Sequence, residues 1–207
     1  MSRAFAARGY KVALISRRSV ENDNIDQVHI QNDLSDPDSV IGVFAKVKEA
    51  LGIPSVVIYN ASAATSSDAK NPLSMPQAVF TRDLNINTTS AFVTAQQAAI
   101  GFQELPDSAS KTFIYTGNIL NTSIIPTLFS LGVGKSATAH IIQSAAAAYS
   151  DRGFKFYYAD EREPGGAPAY RNVDGEAHGK FYLQLAGNRS QGPWQQTFAK
   201  DVGYKSF

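Results

Sequence analysis

SVVIYNASA, residues 55–63, is the stretch on which the fold turns. Val56, Val57, Ile58 and Tyr59 are β-branched or aromatic, and they give way at once to Asn60, Ala61, Ser62 and Ala63. A short apolar run with no polar alternation reads as a strand buried on both faces. Such strands belong to parallel sheets covered by helices on either side. In those sheets ligands bind beyond the carboxyl ends of the strands. Asn60 to Ala63 are therefore expected on a functional rim.

The same pattern recurs outward from this stretch. Tyr10 to Ile15 (YKVALI) reads as a strand, with Arg17 and Arg18 just beyond its carboxyl end. Val28 to Ile30 reads as a second strand, running into Asn32 and Asp33. Asp36 and Pro37 read as a helix start, an acidic cap and a proline in the first turn. Val40, Phe44, Val47 and Leu51 follow at helical spacing, and Gly52 closes the helix. A long helix carries Leu84, Ala91, Ala95, Ala98 and Phe102 on one stripe. Thr112 to Tyr115 (TFIY) is the next strand and leads into Thr116, Gly117 and Asn118. A helix from about Phe129 to Tyr149 stops near Gly153, and Phe154 to Tyr158 (FKFYY) is a further strand. A helix around Glu176 to Leu185 and a strand from Gln195 to Phe198 complete the pattern. Alternating strands and helices predict an α/β fold. It is a doubly wound parallel sheet in three αβα layers, forming a single domain over residues 1–207.

Composition narrows the function. With 43% hydrophobic and 18% charged residues, the 207-residue chain reads as a soluble globular domain. A net charge of +1 gives no basic surface for nucleic acid or an acidic membrane. Cysteine is absent, and His29, His140 and His178 share no ligand spacing, so no metal site is expected. The amino end lacks a signal-peptide pattern, and no apolar run reaches the length of a membrane span. The expected setting is the cytoplasm, and the expected partner is a small-molecule substrate.

A second stretch, SLGVGKSATAH at 130–140, resembles the end of a phosphate-binding loop. That motif needs a glycine five positions before Gly134, where Phe129 stands, and a strand feeding into the loop, where Pro126 stands. Lys135 needs another explanation.

Taken in order, these residues resemble the short-chain dehydrogenase/reductase family, which has a Rossmann-type fold and uses NAD(H) or NADP(H). Val57-Ile58-Tyr59-Asn60-Ala61-Ser62 resembles the family's Asn-Asn-Ala-Gly strand end. Asn32-Asp33-Leu34 resembles the acidic turn that meets the adenine. Asn87, followed by Ser90-Ala91-Phe92, resembles the active-site asparagine and its helix. Thr116-Gly117-Asn118 falls where the catalytic serine strand ends, and Lys135 matches the lysine of the Tyr-x-x-x-Lys motif. The resemblance implies Lys135, Asn87, Thr116 and Asn118 as catalytic residues. It implies Arg17, Arg18, Asp33, Leu34, Asn60, Ala61, Ser62 and Lys135 as cofactor-binding residues. Arginines beyond a second Rossmann strand meet the 2′-phosphate of NADP, so NADP(H) is expected over NAD(H). Segment 161–173 is expected over the substrate pocket. The family's pairing helices correspond to residues 88–102 and 137–149, which implies a homodimer or homotetramer.

There are departures. The family's tyrosine position holds Leu131, and the serine position holds Gly117 or Asn118. Residues 2–9 match the end of the family's first helix, so the first strand and the Gly-rich turn after it have no counterpart. This predicts a gap between the strands at Tyr10 and Ser55, and weak or absent cofactor binding. Tyr59, Tyr115, Tyr157 and Tyr158 are the candidate substitute proton donors. Two functions follow: an NADP(H)-dependent oxidoreductase acting on a small carbonyl or alcohol, or a non-catalytic dinucleotide-binding or scaffolding member.

Overall fold

The computed structural model describes residues 1–18 and 27–207. The chain opens with a short helix α1 (Ser2–Ala6), followed by strands β1 (Val12–Ser16) and β2 (Gln27–Gln31). Helix α2 (Ser39–Leu51) leads to β3 (Val56–Tyr59). Helices α3 (Gln77–Leu84) and α4 (Ser90–Phe102) precede β4 (Thr112–Thr116). Then come α5 (Phe129–Tyr149), β5 (Lys155–Arg162), α6 (Gly175–Gly187), β6 (Gln195–Ala199) and β7 (Gly203–Tyr204).

β3, β4, β5 and β6 pair in parallel in that order, and β7 closes the sheet antiparallel to β6. The period-2 alternation of side chains sorts each strand between two layers. Phe113 and Tyr115 of β4, with Phe156 and Tyr158 of β5, meet Ala91, Ala95, Ala98 and Phe102 of α4 and Ile142 of α5. Ile114, Tyr157 and Ala159 face the opposite way, against Phe181, Tyr182 and Leu185 of α6 and Phe5 of α1. This gives the expected three layers. Phe113, Phe102 and Tyr115 are fully buried; each side chain of this size contributes ~1.5–3 kcal/mol by leaving water.

β1 and β2 form a separate parallel pair. Among the described residues no strand joins β1 to β3, so the expected gap is present as a break between two sheets.

Several boundaries differ from expectation. α2 begins at Ser39 rather than at Asp36, because Ser39 and Val40 donate to Asp36 and Pro37 carbonyls and make residues 36–38 a turn. The long helix is broken into α3 and α4 by a π-helical segment, Asn85–Thr89. β5 runs past its expected end at Tyr158 to Arg162, through three charged residues. Asp160 pairs with Arg162, and Glu161 accepts from the Asp174 N–H at 2.7 Å and lies 3.2 Å from His178 Nδ1. Buried charges survive when paired in this way. β7 was not expected at all; two residues carry no periodicity.

Candidate active site

The carboxyl ends of β1, β3 and β4 carry the rim. Under it runs a ladder of tyrosines in register, Tyr59 on β3, Tyr115 on β4 and Tyr158 on β5. Neighbouring rings lie 5.8 and 5.6 Å apart. Each hydroxyl donates to a backbone carbonyl: Tyr59 to Ile86, Tyr115 to Asn87 at 3.0 Å and Tyr158 to Asn118 at 2.7 Å. Burial raises all of their pKa values above the ordinary phenol value. Tyr157 points into the other layer, where its hydroxyl lies 3.4 Å from the Ser190 carbonyl. Tyr59, Tyr115 and Tyr158 are thus structural, held neutral and already donating, and Tyr157 faces away from the rim.

Asn87 sits in the π-helical segment and is fully buried. π-Bulges often accompany functional sites, since the extra residue re-aims a side chain. Here the Asn87 amide meets both backbone groups of Ala63: Oδ1 accepts from the Ala63 N–H at 2.9 Å and Nδ2 donates to the Ala63 carbonyl at 2.8 Å. Its own carbonyl accepts from Tyr115 and from Thr138 Oγ1. Asn87 therefore positions the rim segment after β3. Gly134 allows α5 to come this close, since a Cβ there would lie 2.6 Å from Asn87 Cβ.

Lys135 is 3% exposed. Its Nζ donates to the Thr116 carbonyl at 2.8 Å and lies 4.4 Å over the Tyr115 ring. Burial lowers its pKa to about 7, opposed by the nearby Asp160 charge. Thr116 Oγ1 accepts from the Tyr182 hydroxyl at 2.9 Å. Asn118 Oδ1 accepts from the Leu120 N–H at 3.0 Å and so caps a short 3₁₀ turn. Gly117 leaves no room for a side chain, because a Cβ would lie 2.1 Å from the Tyr158 ring. Leu131, one helical turn before Lys135, is buried at 6% exposure.

Sequence reasoning missed Asp83 and Ser130. Asp83 is fully buried; it accepts from Ser130 Oγ at 2.7 Å, from the Thr65 N–H at 3.2 Å and from Arg82 at 2.9 Å. Burial pushes the Asp83 pKa up, but these bonds outweigh it and hold the carboxyl below its ordinary value. The carboxylate ties α3, α5 and the rim segment together. The adjacent Arg82-Asp83 pair was the available signal, and it reads equally well as a solvated helix face.

A cavity of about 1220 Å³ opens at the rim. Arg17, Asp33, Leu34, Asn60, Ala61 and Ser62 all line it. Arg18 and Lys135 do not. Asp33 accepts from the Ser35 N–H at 2.9 Å, and that bond, then the Ser35 hydroxyl and the Arg17 charge, lowers its pKa. The turn is anchored to the π-helical region by Asn85 Nδ2, which donates to the Ser35 carbonyl, and by Ser90 Oγ, which donates to the Leu34 carbonyl.

A family model described as enoyl-(acyl carrier protein) reductase matches residues 1–158. A short chain dehydrogenase/reductase, dmxR12 of Cryptosporiopsis sp. (strain 8999), is 46% identical over 218 residues, covering 100% of this chain and 89% of that protein. The chain belongs to the short-chain dehydrogenase/reductase family. Solved members share its fold at low identity. A 4-hydroxyisoleucine dehydrogenase complexed with NADH superposes with a TM-score of 0.74 at 10% identity, over 96% of this chain and 89% of that one. ElxO with NADP bound gives 0.68 at 19% identity, over 77% of this chain and 66% of that one. One relative holds NADH and the other NADP, so the short-chain dehydrogenase/reductase fold alone does not choose between the cofactors. No helix among the described residues is long and apolar enough to cross a membrane.

Proposed function

We propose that the protein binds NADP(H) at the rim cavity and acts as a slow oxidoreductase on a small carbonyl or alcohol. The observation that carries the first half is the convergence of Arg17, Asp33 and Asn60 to Ser62 on one cavity. These residues suit the adenosine half of the cofactor: Arg17 for a 2′-phosphate, and Asp33 with Leu34 for the adenine. The nicotinamide half is supported less fully. Lys135 is the ribose candidate, but its ammonium is engaged with Thr116. Bound, the cofactor would supply hydride. The chain's own part is to orient it and to move a proton, and Leu131 offers none.

The buried Leu131 and the committed tyrosines favour a second reading, a dinucleotide-binding member without catalysis. Calorimetric titration with NADPH and NADH, on the native protein and on Arg17→Ala with Arg18→Ala, tests the binding. NADPH should bind at least tenfold more tightly, and the double substitution should erase that preference. Single-turnover NADPH oxidation with quinones and ketones separates the slow enzyme from the non-catalytic member.

A homodimer through α4 and α5 belongs to the same proposal. Phe92 and Ile100 on α4 and Val133 on α5 are large apolar residues left exposed, a pattern that suits an interface. Light scattering at micromolar concentration tests it. A cytoplasmic setting is proposed with it, tested by fractionation of cells carrying a tagged chain.

A further inference from the structure

A groove of about 490 Å³ lies against α3, outside the rim cavity. Ser35, Gln77, Ala78, Thr81, Arg82 and Asn85 line it, and no strand residue takes part. Gln77, Thr81 and Asn85 stand four residues apart, so they share one face of α3 and its π-helical continuation. Ser35 joins them from the turn after β2. Its N–H donates to Asp33 Oδ1 at 2.9 Å, and its carbonyl accepts from Asn85 Nδ2 at 3.0 Å. Ala78 is the sole apolar residue among the described lining residues, Arg82 the sole cation, and none is a carboxylate.

Arg82 is held in place by the fold. Nε and Nη2 donate to Asp83 Oδ1 at 3.3 and 2.9 Å, and Nη2 also donates to Thr65 Oγ1 at 2.9 Å. Asp83 is fully buried and equally fixed, since its Oδ2 accepts from Ser130 Oγ at 2.7 Å and from the Thr65 N–H at 3.2 Å. An arginine ordinarily loses rotamer freedom when it clamps a ligand; here that freedom is lost on folding. Pairing with Asp83 accounts for Nε and Nη2. It does not account for Nη1, which stands outside these bonds on a side chain that is 54% exposed.

We propose that this groove binds the phosphate monoester of a small sugar, with Arg82 as its anchor. Nη1 keeps both of its hydrogens for the ligand, and a guanidinium is always charged, which suits a phosphate with several acceptor oxygens. Gln77, Thr81, Asn85 and Ser35 present amides and hydroxyls, and these pair with sugar hydroxyls as donors or acceptors. An apolar ligand would meet a single methyl group, and a cation would meet no carboxylate. The volume of about 490 Å³ falls in the usual range for a small-molecule site. Arg82 and Ser35 also line the rim cavity. The same chemistry therefore has two sources, a free sugar phosphate or the phosphorylated ribose of a dinucleotide reaching over from the rim. The groove itself stands whether or not a dinucleotide binds.

The test titrates the full chain with ribose 5-phosphate and with ribose by calorimetry, and maps the bound state by amide NMR shifts. Ribose 5-phosphate should bind saturably below millimolar concentration, at least tenfold more tightly than ribose. Amide shifts should move at Ser35 and along residues 77–85. Arg82→Lys keeps a cation for Asp83 but loses the Nη1 donors, and should weaken binding at least tenfold. Thr81→Val, at an exposed position, keeps the shape and removes a hydroxyl. It should weaken binding severalfold and leave the thermal melt unchanged. Repeating the titration under saturating NADPH separates the two sources. Undiminished binding assigns the groove to a free sugar phosphate. Competition assigns it to the dinucleotide's own phosphate, and Arg82→Lys should then weaken NADPH as well; competition without that loss overturns the proposal. So would equal binding of ribose and ribose 5-phosphate, native affinity in Arg82→Lys or Thr81→Val, shifts confined to other residues, or no saturable binding up to millimolar ligand.

Discussion

Asn87 holds Ala63 by both of its backbone groups, through hydrogen bonds of 2.9 and 2.8 Å. A side-chain amide here does what a neighbouring strand would do, and fixes the segment that leaves β3. Asn87→Ala removes both partners of the Ala63 backbone in a partly buried setting, at a cost of about 1 kcal/mol, the low end of the range for buried groups. Denaturant unfolding should show that loss. The same variant should weaken dinucleotide binding by calorimetry, because Asn60 to Ser62 lie just before the clasp. Asn87→Asp keeps the acceptor but sets a carboxylate oxygen against the Ala63 carbonyl in a fully buried site, and should destabilise at least as much as Asn87→Ala.

Gly117 and Tyr158 compete for one volume. A Cβ at residue 117 would lie within the tyrosine ring's contact shell, at 2.1 Å. Gly117→Ala should therefore cost about 1–3 kcal/mol, as overpacking of a filled core does. Tyr158→Leu in the same chain frees the space and should recover part of that loss. The pair should be non-additive in a double-mutant cycle of thermal melts. A serine placed at residue 117 faces the same obstacle.

Much of the frame was legible. VVIY, TFIY and FKFYY carry enough apolar β-branched and aromatic residues to mark buried strands, and the helix expected from about Phe129 to Tyr149 matches α5. The gap between the sheets was legible through the family resemblance. The π-helical break was not, because Asn85–Thr89 keeps the spacing of a continuous helix, and the close approach of Asn87 to Gly134 of α5 leaves no trace in local spacing. The length of β5 was hidden by Asp160, Glu161 and Arg162, whose burial depends on partners distant in sequence or folded back onto the strand. Asp83 and Ser130 were hidden for the same reason: their bond spans 47 positions.

Lys135 makes stability depend on pH. Burial lowers its pKa from 10.5 to about 7, so the folded state binds its proton less tightly than the unfolded state. Between those values the unfolded chain carries more protons, and stability rises with pH by up to about 1.4 kcal/mol per unit. The contribution is fully present above the unfolded value and is lost as pH falls through about 7. Asp160 has the opposite sign. Burial raises its pKa to about 6, against the Arg162 charge, so its contribution is present below the ordinary carboxylate value and is lost as pH rises through about 6. Denaturant midpoints should therefore climb from pH 7 toward pH 10 in the native protein. Lys135→Met should flatten that climb.

Leu131 stands one helical turn before Lys135, on the same face of α5. A tyrosine there would bring a hydroxyl toward the lysine, and a positioned general acid typically contributes ~10²–10⁴-fold. Leu131 is buried, however, so the larger ring must displace neighbours at a cost of about 1–3 kcal/mol. Leu131→Phe imposes the same bulk without the hydroxyl and isolates the chemistry from the packing. Both variants should melt at a lower temperature than the native protein, by similar amounts. In single-turnover NADPH oxidation with a reducible ketone, Leu131→Tyr should react at least tenfold faster than Leu131→Phe. Lys135→Ala in the Leu131→Tyr background should remove the gain, since the lysine charge is what lowers a phenol toward working pH. Equal rates for the tyrosine and phenylalanine variants would show that the hydroxyl does not reach the substrate, and would favour the non-catalytic reading.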